Sequence, residues 1–231
     1  MANTIALRKQ YSTLLDEVYK LSSLTAVLDG PNELVREGAN ANEILIPKLS
    51  MQGLADYSKS TGYVAGDVTL DYETKKCAYD RGRMFNVDAM DNIESAGIAF
   101  GRLSGEFLRT QVVPELDAYR LASYAQIPGV TTVKAALATG KEALAALRTA
   151  RGKIENAEAN LSTCYLFINP TVYGLIEDLD TTASKKAIEG FAGIIKVPSG
   201  RFYDKVKLNA SGAGGFTKDT GAVAMNFLIV D

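Results

Sequence analysis

The sequence predicts an α+β fold, on three observations. Apolar residues recur at helical spacing over two long stretches, alternate with polar ones in others, and the strands so marked read as largely antiparallel. Length and composition agree: 231 residues, 47% hydrophobic and 23% charged, suffice for one large domain or two small lobes sharing a core.

The first helical stretch spans residues 4–27. Ile5, Tyr11, Leu14, Leu15, Val18, Leu21 and Leu24 share one face, and DGP at 29–31 stops it. Residues 1–42 read as an arm that packs on its own domain or on another molecule.

From Glu43 the period changes. EILIPKLSMQGLADYS is strand-like, KSTGYVAG supplies turn residues, and DVTLDYETKKCAY is strand-like again, with Leu70 and Tyr72 alternating against Asp71 and Glu73. A strand from Val68 to Tyr79 would reach about 40 Å, twice a typical one. The ribbon, within 43–90, reads as polar on both faces for much of its length. A two-stranded ribbon is marginal alone in water, so a neighbouring surface must support it.

A helix of some 30 residues follows, within 91–129. Asp91 and Glu94 form a capping-box pattern, and Phe100, Leu103, Phe107, Val112, Leu116 and Tyr119 mark its apolar side. Pro114 removes the hydrogen bond to the Thr110 carbonyl, which predicts a bend there. Gly97, Gly101 and Gly105 lie four apart, each costing about 1 kcal/mol against alanine, which implies close approach of another element. Arg102, Glu106 and Arg109 exclude a membrane-dimer reading of that spacing.

Residues 130–231 read as a mixed lobe. TTVKAALATGKEALAALRTARGKIENAEAN is one or two helices capped by Thr131 or Thr132. STCYLFINPTVYGLIEDL is a short apolar strand, an Asn-Pro turn and a helix from Pro170. GIIKVPSGRFYDKVKL and AVAMNFLIVD are strands about NASGAGGF, a mobile connection.

Composition removes several chemistries. There is no histidine, which excludes Ser-His-Asp and Cys-His nucleophiles and histidine-ligated metals. Cys77 and Cys164 form no CxxC pair, so neither a disulfide framework nor a zinc site is expected. A net charge of −2 gives no case for tight nucleic-acid binding. No apolar run reaches the ~20 residues that span a bilayer, and the N-terminus shows no secretion pattern, leaving the sequons at Asn160 and Asn209 without meaning. ATGKEAL lacks the phosphate-loop residues, with Ala135 and Glu142 at the deciding positions. Asp88 and Asp91 are too few for a hard-cation site, and Asp91 serves better as a cap. DRGR places Arg81 and Arg83 where they can fork onto carboxylates of a partner, or form an ordinary surface salt bridge. No cofactor, metal or catalytic residue is expected.

The blocks TGY…GDVTL…DRGR.F..DAMDN (61–92), AFGRLSGEFLRTQVVPELDAYR (99–120), FINPTVYGLI (167–176) and IIKVPSGRF (194–202) resemble those of major capsid proteins of tailed bacteriophages. Their shared architecture is called the Hong Kong ninety-seven fold. The resemblance implies an N-terminal arm (1–42), an extended β-ribbon loop (43–90) overlapping a neighbouring subunit, a spine helix (91–129) and an axial-type lobe with return strands (130–231). It also implies self-assembly into pentamers and hexamers of an icosahedral shell around double-stranded DNA. Scaffold, portal and decoration proteins would be further partners, with DNA held only by loose non-specific contact and no membrane involved. The location implied is the virion, and the host cytoplasm during assembly. Intersubunit contact candidates are Tyr57, Tyr63, Gly66, Lys75, Arg81, Arg83 and Phe85, with Lys75, Lys76 and Glu73 blunting the strand edge. Two alternatives remain: an encapsulin-type protein compartment, and a small histidine-free enzyme.

Overall fold

The computed structural model describes residues 23–30, 36–37, 43–60, 62–76, 79–85, 104–130, 132, 136–210, 212 and 214–231. The chain divides into two units: Gly30–Val87, and Met1–Asp29 with Asp88–Asp231. Helix and strand are both well represented in them, an α+β composition. The expected helix over 4–27 falls almost wholly outside the described residues, as do Cys77, Asp88, Asp91, Glu94, Gly97, Phe100, Gly101, Arg102 and Leu103.

The larger unit is built about a three-stranded sheet. Its middle strand, β4 (Tyr165–Ile168), pairs in parallel with β5 (Gly193–Lys196) and antiparallel with β8 (Phe227–Val230). YLFI is apolar throughout because both faces of β4 are covered. Leu166 and Ile168 face one way, against Ala143, Leu147, Val172, Ile176 and Ala187. Phe167 faces the other way, against Leu121, Val197 and Phe202. The two-residue side-chain period of a strand thus divides the core into two clusters with the sheet between them.

The helices on the first face are set by their caps. Asn169 caps α3 (Pro170–Glu177), its side-chain oxygen accepting from the Thr171 amide at 2.9 Å, with Pro170 in the first turn as expected. The helix before it, α2 (Gly140–Asn156), is capped by Thr139, which closes a reciprocal capping box with Glu142; the earlier cap expected at Thr131 or Thr132 adjoins Thr131 and residues 133–135, which lie outside the described residues. ATG therefore opens a helix instead of lying within one. The Glu142 carboxylate takes the Ala138 and Thr139 amides, the groups an anion would use there. A further helix, α4 (Thr182–Ile188), was not marked by apolar period; its signal is the box of Thr181 and Ser184.

On the opposite face runs α1 (Val113–Ala125), preceded by helical residues from Ser104 and a π-helical turn, Leu108–Val112. The sequence predicts a bend at Pro114; what stands next to it is this π-helical turn. With no proline N–H to donate, the ladder widens and the Val113 amide reaches the Leu108 carbonyl. The buried side differs from the expected one. Val113, Asp117, Ala118, Leu121 and Ala122 are buried, while Phe107, Val112, Leu116 and Tyr119 are only half-buried. Alanines and an aspartate carry no apolar signal.

NASGAGGF connects a hairpin, β6 (Val206–Leu208) with β7 (Phe216–Lys218). Asn209 organises this loop: its side chain donates to the Gly214 carbonyl at 2.9 Å and accepts from Thr217 at 3.1 Å. The sequence reading had neither β7 nor this hairpin.

A candidate interface on the ribbon

The smaller unit is an antiparallel sheet, β1 (Arg36–Glu37), β2 (Glu43–Met51) and β3 (Val68–Lys76), in that order. Nine consecutive pairs, from Glu43 opposite Lys76 to Met51 opposite Val68, join β2 to β3. At ~3.3 Å per residue each strand is about 30 Å long; Cys77 and Ala78, within the expected 40 Å span, lie outside the described residues. β2 ends at Met51, and residues 52–57 are irregular.

Register decides what each face carries. Residues directly opposite in an antiparallel pair project to the same side. One side therefore holds Leu45, Pro47, Leu49 and Met51 from β2 with Val68, Leu70 and Tyr72 from β3. The other holds Ile44, Ile46 and Lys48 with Asp71, Glu73 and Lys75. The expectation of a ribbon polar on both faces is thus corrected. Seen along β3 alone, apolar residues are diluted by Thr74, Lys76 and the turn; pairing with β2 gathers them into one stripe.

That stripe is exposed. Leu49, Met51, Val68, Leu70 and Tyr72 keep 44–68% of their surface accessible. Arg36, opposite Leu45, lays its guanidinium 5.8 Å from the Tyr72 ring centre. On the charged side Lys75 and Glu73 form an ion pair, which holds the Glu73 carboxyl below its ordinary range. Both groups are at least half exposed, so the pair adds little stability.

The distal turn has its own apolar knob. Ser58 and Gly62 bridge, Gly62 taking the left-handed conformation (φ +77°) that the tight turn needs. Tyr57 and Tyr63 flank it with ring centres 5.0 Å apart, and Leu54 and Val64 are exposed beside them.

The expected contact residues separate along this unit. Tyr57 and Tyr63 meet at the turn. Gly66 lies nearby, where an added Cβ would come no closer than 3.9 Å to Gln52, so no steric need for glycine is visible. Lys75 sits at the far end of β3, on the charged side. Arg81, Arg83 and Phe85 are exposed in irregular chain after β3. The geometry adds Leu49, Met51, Val68, Leu70 and Tyr72. Pairing EILIPKLSM against VTLDYETKK in the sequence would have found them.

Among the described residues no cluster of acidic, cysteine or histidine side chains could hold a metal ion, and no helix is long and apolar enough to cross a membrane. Cys164 is buried with a free thiol, which donates to the Asn160 carbonyl at 3.3 Å; burial pushes its pKa up.

No family model matches the sequence, and no curated protein matches it. Among solved structures, the capsid structure of the cyanophage P-SCSP1u is similar. It shares 15% identity, with 84% of this chain and 69% of that chain covered, at a TM-score of 0.44.

Proposed function

We propose that this chain is a shell-forming subunit of the phage major capsid type, non-enzymatic, that assembles with copies of itself into pentamers and hexamers enclosing double-stranded DNA. The observation that carries the reading is the ribbon: nine paired residues per strand presenting an unburied apolar stripe and an aromatic turn. Exposed apolar residues gathered into one stripe mark an interaction surface. The capsid-like sequence blocks support a neighbouring copy as the partner of that surface. Scaffold, portal and decoration proteins would meet the finished or growing shell, in the host cytoplasm and then in the virion. The arm, spine helix and lobe of 1–42, 91–129 and 130–231 belong to the same proposal.

Electron microscopy and light scattering of the purified protein test it. Rings or megadalton particles are expected at micromolar concentration, and a monomer at every salt and protein concentration would sink the reading. Nucleic acid within particles from infected or induced cells separates a virion shell from a protein-filled compartment.

A further inference from the structure

Residues 23–29 form a short strap, the last chain of the larger unit before the ribbon unit begins at Gly30. Two kinds of contact hold it. Leu24 and Leu28 pack on the cluster of Leu121, Phe167, Val197 and Phe202. Asp117, fully buried on α1, accepts four hydrogen bonds from the strap: from the Ser23 hydroxyl, the Leu24 amide at 3.1 Å, the Thr25 amide at 3.2 Å and the Thr25 hydroxyl at 2.7 Å. Arg201 stands 3.6 Å from the same carboxylate. Less than one turn on, Arg120 bonds Asp29 at 2.9 Å.

We propose that Asp117 is a latch: it fixes the strap to α1, and its loss frees the strap without unfolding the sheet. The physical reason is asymmetry. Without Asp117, the Leu24 amide loses its acceptor and the Thr25 amide keeps only Ser23 Oγ at 3.2 Å, and an under-satisfied donor in the buried Thr25 is costly. The strap can recover them by swinging into water. α1 cannot follow, because Val113, Ala118, Leu121 and Ala122 remain buried. Asp117 is a positioning residue for the strap.

Hydrogen exchange on the full chain tests this, comparing Asp117→Ala and the double variant Ser23→Ala/Thr25→Val with the parent. The Leu24, Thr25 and Asp29 amides are expected to exchange roughly tenfold faster or more, while those of Phe167 and Ile168 in β4 stay protected. Equal loss of protection in strap and β4 in both variants would overturn the latch, making Asp117 a general core support. Unchanged strap exchange would overturn it too, leaving Leu24 and Leu28 as the anchors. One consequence rests on the shell reading above: the variants should give fewer closed particles. The exchange result stands apart from that, so a parent protein that never assembles defeats the shell reading and not the latch.

Discussion

Glu142 shows how one carboxylate can start a helix. Its oxygen accepts from the Ala138 and Thr139 amides at 3.0 and 3.1 Å, and these bonds hold its carboxyl below the ordinary glutamate value of 4.5. A lowered folded value means the contribution is complete above the ordinary value and is lost as pH falls through the lowered one. The start of α2 should therefore hold at the ordinary glutamate value of 4.5 and fray only as pH falls below it. Amide exchange at Glu142 and Ala143 reports it, and Glu142→Gln should remove the pH dependence while fraying the turn at neutral pH. Gly140, two residues earlier, sets two effects against each other. Helix propensity favours alanine by about 1 kcal/mol. A Cβ there, however, would lie 2.3 Å from the Leu175 carbonyl oxygen, a backbone atom that cannot step aside. Sterics should win, and Gly140→Ala should lower unfolding free energy by about 1–3 kcal/mol in urea titration. A stabilised variant would show that α2 and α3 can move apart freely.

At the scale of elements, the ribbon asks for the sharpest test. Leu49 and Leu70 lie opposite one another, 58% and 56% exposed. Replacing both by threonine keeps β-propensity and cross-strand pairing while removing apolar surface. Each leucine fully buried against a neighbour stabilises the contact by about 1.5–3 kcal/mol. The double variant should keep the parent's circular dichroism and lose most of its particles. Undiminished particle yield would take the stripe out of the interface. β4 and α3 were legible because YLFI and the Asn-Pro cap are local signals. The capping boxes of Thr139 and Thr181 are equally local, but apolar period dominated the reading and hid them.

For the whole molecule, Arg81 and Arg83 extend the argument beyond the stripe. If they meet carboxylates of another copy, removing them costs on the order of 2–5 kcal/mol at each desolvated contact. Arg81→Ala/Arg83→Ala should then spare the subunit's melting temperature and reduce assembly, as read by circular-dichroism melts beside counts of particles in negative stain. A lowered melting temperature, with assembly falling only in proportion, assigns both arginines to their own subunit instead. In a closed shell, repetition would amplify the first outcome, because every copy would make the same contact.

The sequence by itself determined the α+β class, the strand–cap–helix run from Tyr165 to Glu177 and the existence of the long ribbon. These follow from neighbours in the chain: period and caps. Only tertiary structure decided that the ribbon has an apolar side, that Asp117 lies buried in the stripe of α1, and that Phe167 and Ile168 serve different cores. Each depends on a partner distant in sequence, since register joins residue 49 to 70 and the strap brings 25 to 117. A carboxylate reads as surface until four donors are seen to surround it, and leucines on a strand read as scattered until pairing lines them up.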